Sequence, residues 1–292
     1  MQANKRKTTA LKALAMGNEV VIVPGIFDAL SAKIAAQAGF EAALVTGYAV
    51  SATLLGEPDF GLLTMAEMLD VTRRIVSAVD IPVVVDCDTG YGNPINVTRT
   101  IKEFERAGAA GVILEDQVWP KRCGHMMGKQ VISMEENIQK LRAALDSRND
   151  PDFVIVARTD ARGPLGLEEA IRRGCAYKEE GADAIFVEAP RTIEELRQIG
   201  ENVPGPLVAN MIERGLTPTL PARELAALGF RLVGYVLTGL YCAAYALREA
   251  YTELRERGTS VALEDRMVWF GDFHTIIGLP EKMDLESKYR CD

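Results

Sequence analysis

Continuous apolar runs, many of them β-branched, recur along the chain and alternate with segments in which apolar residues repeat every three to four positions. Runs that are apolar throughout, rather than at every second position, are typical of parallel strands buried on both faces. The predicted strands are residues 20–23, 43–46, 83–88, 111–116, 154–160, 184–188, 207–210 and 232–237.

The segments between these strands carry the signals of helix starts and ends. Asp28 is a candidate N-cap, and Thr64 with Glu67 three residues later forms the pattern of a capping box. Glycines follow several of the segments directly, as expected after helix C-termini. The predicted helices are residues 29–38, 65–79, 95–107, 135–146, 167–180, 192–199 and 221–228.

Eight strands that alternate with helices predict a (β/α)8 barrel of the TIM type. A doubly wound sheet is the alternative, but it usually has a glycine-rich phosphate turn after its first strand. The corresponding turn here, Pro24-Gly25-Ile26-Phe27-Asp28, has no such pattern. Polar residues also end six of the eight strands, at the edge where barrel enzymes build their active sites. The barrel is therefore the preferred fold.

The residues after the barrel predict two further helices, at 245–256 and 264–277. An apolar face on the second is formed by Met267, Trp269, Phe270, Phe273 and Ile277. Packing against a neighbouring subunit and packing against the chain's own barrel both fit this pattern. We divide the chain into a catalytic barrel, residues 1–256, and a C-terminal helical extension, residues 257–292.

The composition is that of a globular protein with a large core, since 48% of the 292 residues are hydrophobic and 25% are charged. A net charge of −8 at pH 7 disfavours nucleic acid as the main partner. No apolar stretch is long enough for a signal peptide or a membrane span. Five widely spaced cysteines without a CxxC pattern fit a reduced compartment. We therefore expect a cytoplasmic protein without disulfides.

Acidic residues at the strand ends predict a metal site. Asp86 and Asp88 end one strand on the same face, and Asp59 and Glu115 lie on other loops of that edge. Carboxylates without paired histidines or cysteines are hard oxygen ligands, which prefer Mg²⁺ or Mn²⁺. Asp59 is the least specific of the four, because acids are also common in Pro/Gly turns.

Two further groups suit an anionic substrate. Arg158 ends the fifth strand and can hold a carboxylate through two parallel hydrogen bonds, while an ion pair with Asp160 or Glu188 is the structural alternative. Hydroxyl and backbone N–H donors at another strand end come from Thr46, Gly47 and Tyr48.

The most specific local feature is the pentapeptide Lys121-Arg122-Cys123-Gly124-His125, which follows the fourth strand. Two cations, a thiol, a glycine and an imidazole in one loop have no use in a hydrophobic core. They suit a lid that closes over an anion and delivers a proton. The neighbouring cations also predict a lowered pKa for the thiol.

Taken in order, these pieces are similar to the isocitrate lyase / phosphoenolpyruvate mutase superfamily, from about residue 20 to residue 256. The matching motifs are Thr46-Gly47, Pro58-Asp59, Asp86-Cys87-Asp88-Thr89-Gly90-Tyr91-Gly92, Glu115-Asp116-Gln117, the pentapeptide, Ala157-Arg158-Thr159-Asp160 and Asn210-Met211. A cysteine in the lid loop marks the carbon–carbon lyases of this superfamily. The resemblance thus implies retro-aldol-type cleavage of a 2-hydroxy acid, dependent on Mg²⁺ with Mn²⁺ as the alternative.

The resemblance also implies a role for each position. Mg²⁺ would be bound directly by Asp88, with a shell completed, partly through water, by Asp59, Asp86 and Glu115. The metal would bind the carboxylate and C2 oxygen of an α-hydroxy acid end held by Thr46, Gly47, Tyr48 and Arg158. Cys123 would protonate the carbanion as the bond breaks. The second carboxylate would be bound or oriented by Lys121, Gly124, His125, Glu188 and Asn210.

Two departures bear on the substrate. Methylisocitrate lyases of this family have an arginine shortly after the eighth strand, where Tyr241 stands here, and they tend to have Ser-Gly-Gly in place of Thr46-Gly47-Tyr48. Tyrosine in place of arginine removes a positive charge and adds a bulky ring, and both changes favour a dicarboxylate substrate over a larger tricarboxylate. The chain is thus more similar to the dimethylmalate lyase, petal death and oxaloacetate hydrolase group. We therefore predict cleavage of a 2-alkylmalate such as 2,3-dimethylmalate to pyruvate and a short carboxylic acid.

Other functions stay open. Oxaloacetate hydrolysis would give oxalate and acetate, and 2-methylisocitrate cleavage would give pyruvate and succinate. Oxaloacetate decarboxylation would leave Cys123 without a task. From another class, a catalytically silent carboxylate-binding barrel is disfavoured because the metal acids and the lid residues are all present. The resemblance finally implies a homotetramer with exchanged C-terminal helices.

Overall fold

The computed structural model describes residues 6–290. Eight parallel strands follow one another in chain order and close into a barrel, with the last strand paired to the first. The strands are β1 (Val21–Ile26), β2 (Ala43–Val45), β3 (Val83–Asp86), β4 (Gly111–Glu115), β5 (Val154–Thr159), β6 (Ala184–Val187), β7 (Leu207–Asn210) and β8 (Phe230–Tyr235). The predicted (β/α)8 barrel is confirmed.

Helices cover the outside of the barrel and continue beyond it. They are α1 (Lys7–Met16), α2 (Ala29–Gln37), α3 (Gly47–Val50), α4 (Met65–Ala78), α5 (Pro94–Arg106), α6 (Met134–Ser147), α7 (Leu167–Glu179), α8 (Ile193–Asn202), α9 (Ala222–Ala227), α10 (Thr238–Arg257), α11 (Phe270–Ile277) and α12 (Leu279–Tyr289). A π-helical turn (Ser51–Leu55) extends α3, and a 3₁₀ turn (Val261–Arg266) follows α10.

Both predicted N-terminal caps are present. The Asp28 carboxylate accepts a hydrogen bond from the backbone N–H of Ser31 at 2.7 Å. At the start of α4, Thr64 Oγ1 accepts from the N–H of Glu67, and the Glu67 carboxylate accepts from the N–H of Thr64 at 2.8 Å. These reciprocal bonds satisfy donors that have no partner within the helix, so they fix where the helices begin.

The barrel interior changes from apolar to polar along the strands. On β3 to β6, one buried cluster contains the inward-facing side chains of Val84, Ile113, Val156 and Phe186. Two positions further along the same strands stand Asp86, Glu115, Arg158 and Glu188. Because side chains alternate between the two faces of a strand, these four share the inward face and lie at the carboxyl end. The strand pattern alone thus gathers the polar groups at one mouth of the barrel.

Helix α1, which was not predicted from the sequence, closes the opposite end of the barrel. Its Leu11 is fully buried in the interior cluster and lies against β4, where a Cβ on Gly111 would be 3.1 Å from Leu11 Cδ2. Polar bonds from Thr8 to Asp150 and from Thr9 to Asp152 hold the helix in place. The barrel is therefore open only toward the polar mouth.

The C-terminal helices differ from the prediction in their bounds. Helix α10 begins at Thr238 rather than at residue 245, the predicted helix 264–277 is divided before α11, and α12 was not predicted. Backbone carbonyls at the end of α11 accept bonds from Lys33 and Gln37 of α2. Many apolar side chains of this segment nevertheless face solvent, with Phe270 79% exposed. No helix within residues 6–290 has both the length and the apolar character that a membrane crossing needs.

Candidate active site

The four acids predicted as metal ligands, Asp59, Asp86, Asp88 and Glu115, meet at the polar mouth and are called the acid cluster below. The ammonium group of Lys121, only 3% exposed, lies 2.7 Å from Asp59 Oδ1 and 2.7 Å from Asp88 Oδ1. Asp86 accepts a hydrogen bond from the N–H of Asp88 at 3.1 Å. The predicted lid residue Lys121 thus lies with the acid cluster and not with Glu188 and Asn210.

Backbone conformation brings the acid cluster together. Asp88 has a φ of 48°, a left-handed conformation that aspartate tolerates better than most residues, so the chain turns sharply after β3. Gly47 lies against the acid cluster, where a Cβ would be 3.2 Å from Asp86 Oδ2. Its N–H, predicted to bind a substrate carboxylate, donates to Asp86 at 3.4 Å in this structure. Thr46 is buried beside it, and Tyr48 is half-buried.

The protonation of the acid cluster follows from its burial. Burial raises the pKa of Asp88 to about 7, with the charges of Asp86 and Asp59 adding to the effect and Lys121 opposing it. Burial likewise raises the pKa of Glu115 well above its usual range, although Arg158 opposes it. Both carboxylate oxygens of Glu115, and Asp88 Oδ1 despite its closeness to Lys121, lack a well-aligned hydrogen bond. Buried oxygens without partners are unusual, so an additional cation would be stabilised here.

The residues present fit a divalent metal ion with oxygen ligands. No three His, Cys, Asp or Glu side chains of residues 6–290 converge as a ready set of direct ligands. An ion here would therefore be held directly by one or two carboxylates and would complete its shell with water, as Mg²⁺ usually does. The mouth also holds more acids than permanent cations: Asp59, Asp86, Asp88, Glu115, Asp160 and Glu188 against Lys121, Lys129 and Arg158. An anionic substrate therefore needs further positive charge beside it.

Arg158 is held by acids on three sides. Its Nε and Nη2 donate to the two oxygens of Asp160 at 2.9 and 3.1 Å. Nη2 also lies 3.3 Å from Glu115, and Nε lies 4.0 Å from Glu188. The structural ion pair considered from the sequence is present, and it holds the guanidinium at the mouth between the acid cluster and β6.

A second polar chain runs through Glu188. Asn210 Nδ2 donates to Glu188 Oε1 at 3.2 Å, and His125 Nε2 lies 3.1 Å from the same oxygen. The N–H of Leu216 donates to His125 Nδ1 at 2.9 Å, so the ring proton of a neutral imidazole is on Nε2 and faces the carboxylate. Although burial raises the pKa of Glu188, Arg158 and His125 outweigh it and keep this pKa below its usual value.

The loop that carries the pentapeptide, here called the lid loop (residues 117–131), lies closed over the mouth. The N–H of Cys123 donates to the carbonyl of Asp59 at 3.1 Å. Gln117 holds Arg122 from both sides, since its side chain donates to the carbonyl (2.8 Å) and accepts from the N–H (3.0 Å) of that residue. A Cβ on Gly124 would collide with Glu188 and lie 2.5 Å from Arg158 Nη2, so only glycine allows this approach.

The expectation of a lowered pKa for Cys123 is wrong. The side chain is 8% exposed, and burial raises the pKa of its thiol to about 11. Burial outweighs the hydrogen bond from the N–H of His125, which lowers this pKa, and the negative charges of Asp59 and Glu188 add to the rise while Arg158 opposes it. Beneath the closed lid loop, Cys123 is therefore a protonated thiol at neutral pH.

Two contributors to the mouth, Lys129 and Tyr241, were given no site role from the sequence. Lys129 and Asp160 form a buried ion pair at 2.8 Å, and the sequence around Lys129 does not distinguish it from a surface lysine. Tyr241, noted only as a departure, lies near Cys123, and its pKa is raised first by burial and then by a hydrogen bond with Tyr48. Asp116 points away from the mouth, because it follows Glu115 by one position and takes the other face.

Comparison with known proteins gives this site its family. A family model described as phosphoenolpyruvate phosphomutase matches residues 11–255. The chain belongs to this family. It is 46% identical over 279 residues to 2,3-dimethylmalate lyase of Eubacterium barkeri, covering 96% of both chains. It is 49% identical to the petal death protein of Dianthus caryophyllus (98% and 90% covered) and 40% identical to 2-methylisocitrate lyase of Aeropyrum pernix (99% and 93% covered).

Solved structures of the same superfamily superpose along almost the whole chain. An oxaloacetate acetylhydrolase in complex with the inhibitor 3,3-difluorooxalacetate matches with a TM-score of 0.92 at 36% identity, covering 97% of each chain. A phosphonopyruvate hydrolase in complex with oxalate and Mg²⁺ matches with a TM-score of 0.88 at 32% identity, covering 97% and 99%. With its lyase relatives, the chain is a carbon–carbon lyase of the PEP mutase/isocitrate lyase superfamily.

Proposed function

We propose that the protein cleaves a 2-alkylmalate, such as 2,3-dimethylmalate, to pyruvate and a short carboxylic acid. The observation that carries this proposal is Cys123, a protonated thiol enclosed with the acid cluster under the lid loop. Cleavage of a carbon–carbon bond leaves an electron pair on one carbon, and that carbon needs a proton from an enclosed acid. A neutral thiol can donate this proton without water entering the site.

The acid cluster is the proposed site of Mg²⁺, with Mn²⁺ as the alternative. Asp88 would hold the ion directly, and Asp59, Asp86 and Glu115 would hold it in part through water. Support comes from the buried oxygens of Asp88 and Glu115 that lack a well-aligned hydrogen bond and from the Mg²⁺ in the structure of the phosphonopyruvate hydrolase relative. When bound, the ion supplies positive charge that stabilises the oxygen anion developing on the substrate.

The chain's own residues divide the substrate between them. The α-hydroxy acid end would be held by Thr46, Gly47, Tyr48 and Arg158. As the bond breaks, the C2 hydroxyl would pass its proton to a carboxylate of the acid cluster and become the keto group of pyruvate, while the Sγ–H of Cys123 would pass its proton to the departing carbon. The second carboxylate would be held or oriented by Gly124, His125, Glu188 and Asn210, whereas Lys121 would act from within the acid cluster. Burial of these groups excludes water that would compete for the carbanion.

Tyr241 supports a small substrate. Tyr241 is hydrogen bonded to Tyr48, and it stands where similarity to methylisocitrate lyases places an arginine. A neutral ring gives no partner for a third carboxylate, whereas it packs well against a methyl group. A dicarboxylate with an alkyl substituent fits these two properties better than a tricarboxylate.

The test is pyruvate release, coupled to lactate dehydrogenase, from 2,3-dimethylmalate and from 2-methylisocitrate in the presence of Mg²⁺. We expect faster turnover of 2,3-dimethylmalate and a loss of about 10²–10⁴-fold in kcat for Cys123→Ser, as is typical of a missing acid. Cys175→Ser, which changes a half-buried thiol on α7, is the matched control and should keep full activity. Pyruvate from neither compound would refute the proposal.

Oxaloacetate hydrolysis is the second candidate, because the similarity to oxaloacetate acetylhydrolase covers 97% of the chain. The same acid could protonate the departing acetate carbon. Oxalate formed from oxaloacetate faster than pyruvate from any substituted malate would favour it. Preference for 2-methylisocitrate would instead place the enzyme with the relative from Aeropyrum pernix. Tight binding of a dicarboxylate without any product would indicate a silent barrel.

The C-terminal segment is proposed to be an assembly element of a homotetramer. The exposed apolar side chains of α10 to α12 and of the residue before α11 include Tyr251, Trp269, Phe270 and Met283. Single exposed apolar residues are common, but many of them on successive helices are typical of a subunit interface. Residues 257–292 would then be a helical extension that packs on a neighbouring barrel.

A further inference from the structure

Lys129 closes the C-terminal root of the lid loop and is 7% exposed. Its Nζ donates to the carbonyl of Gly124 and, at 2.8 Å, to Asp160 Oδ1. A buried ammonium group is costly unless it is paired and hydrogen bonded. Lys129 therefore gains its favourable environment only while Gly124 and Asp160 are both within reach.

The two partners of Lys129 belong to different parts of the molecule. Gly124 is on the lid loop, with its backbone pressed against Glu188 and Arg158. Asp160 follows β5 and holds Arg158 through two hydrogen bonds. The ammonium group thus joins the moving backbone beside Cys123 to the carboxylate that fixes Arg158.

Apolar packing does little to hold the lid loop at this root. A cavity of about 150 Å³ lies between it and the loops after β5, β6 and β7, lined among others by Met126, Met127, Pro164 and Leu216. Because this open cleft leaves part of the loop without apolar contacts, polar bonds contribute more to holding the loop in place. The bonds of Lys129 are the buried, charge-assisted ones at this root.

We infer that Lys129 is a latch for the lid loop and a positioning residue for Cys123 and Arg158. It does not touch the acid cluster or the reacting carbon. When the lid loop opens, Gly124 withdraws, the bridge to Asp160 is broken, and Cys123 enters solvent. The inference concerns the motion of the lid loop and does not depend on which substrate is cleaved.

The test uses the full chain without substrate, at pH 8 with iodoacetamide, and follows alkylation of each cysteine by peptide mass spectrometry. Replacing Lys129 by Met removes the bridge while keeping most of the side-chain volume. We expect Cys123 to be alkylated about tenfold faster or more, because opening exposes the thiol and lets its pKa fall toward the ordinary value. Lys178→Met is the matched control, since Lys178 bonds backbone carbonyls of Ala182 and Asp183 away from the lid loop and should leave the rate unchanged.

Cys87 separates a latch from a structural role. It is fully buried after β3, so it reacts only when the barrel itself opens. Faster reaction of Cys123 with an unchanged Cys87 supports the latch. Equal acceleration of both thiols, or no acceleration of Cys123, overturns it. Because no turnover is measured, failure of this inference is distinguishable from failure of the proposed reaction.

Discussion

A single side chain, Cys123, shows how burial can reverse the effect of neighbouring charge. Cations that flank it in sequence suggest a reactive thiolate, yet Lys121 is paired with Asp59 and Asp88, and Arg122 points to the surface. What Cys123 meets under the lid loop is mainly a dry environment and two carboxylates. The sequence identified the residue but could not give its protonation state, because the partners of each cation are set by the fold.

The protonation state predicts the pH dependence of turnover. A raised pKa of about 11 keeps the thiol protonated through pH 9, so loss of this acid cannot lower kcat between pH 7 and pH 9. A lowered pKa would instead give a falling limb in that range. The measurement is kcat for pyruvate release against pH, since kcat reports the substrate-bound, closed enzyme. A fall in kcat centred near pH 8 would contradict the expectation if the Lys121→Arg variant shows the same fall, because titration of Lys121 could not then be its cause.

At the scale of elements, Asp116 joins two strands and a helix. It accepts hydrogen bonds from Thr159 Oγ1 (2.7 Å) and the N–H of Asp160 (2.8 Å) beside β5, and from Arg173 Nη1 (2.8 Å) and Tyr177 Oη (2.9 Å) on α7. The sequence grouped Asp116 with Glu115 as a polar strand end. Their opposite faces separate them: Glu115 belongs to the mouth, and Asp116 fastens β4 to β5 and α7.

Asp116→Asn should therefore reduce stability much more than a surface change of the same chemistry. An amide has one acceptor oxygen and adds an N–H donor that faces Arg173, so we expect a loss of about 3 kcal/mol in the free energy of unfolding. Asp70→Asn, which weakens an exposed i,i+4 pair with Arg74, should cost less than about 0.5 kcal/mol. The measurement is the free energy of unfolding of both variants by urea denaturation. Equal losses would show that Asp116 does not stabilise the contact of β4 with β5 and α7.

Strands and helices were predictable from the sequence where the pattern of apolar and capping residues fitted only one kind of element. Continuous apolar runs gave the eight strands, and caps such as Thr64 with Glu67 gave the helix starts. Helix α1 was missed because its start is basic and polar and only Leu11 and Ala15 are buried. The division of 264–277 was missed because an apolar period continues through Met267 to Trp269, although the backbone there is extended.

At the scale of the whole molecule, the barrel buries its apolar side chains, whereas many apolar side chains of the C-terminal helices are exposed. Every residue of α10 to α12 remains at least partly exposed, and α11 touches its own barrel mainly through Lys33 and Gln37. No pattern within one chain can specify what covers such a surface, because the answer depends on a second copy. The exposed apolar side chains support the proposal of an assembly, and the number of four subunits comes from the family resemblance.

If the C-terminal helices hold a homotetramer together, Phe270→Asp will dissociate it. A charge on a side chain that is 79% exposed in the single chain costs little there, but it would be buried unpaired at an interface. Sedimentation velocity at micromolar concentration should show the wild type larger than its monomer mass of 31.9 kDa and the variant shifted toward that mass. Met16→Asp, at the closed end of the barrel, is the control. A monomeric wild type would refute the tetramer.

The plug that Leu11 forms at the far end of the barrel gives the molecule a single doorway. For the proposed reaction, one molecule enters and two must leave by the same route. In that reaction the carboxylic acid fragment would form beside Cys123 on the lid loop, and pyruvate would be held at the acid cluster. Because α1 closes the other end of the barrel, both products must leave past the lid loop, so each turnover would require this loop to open.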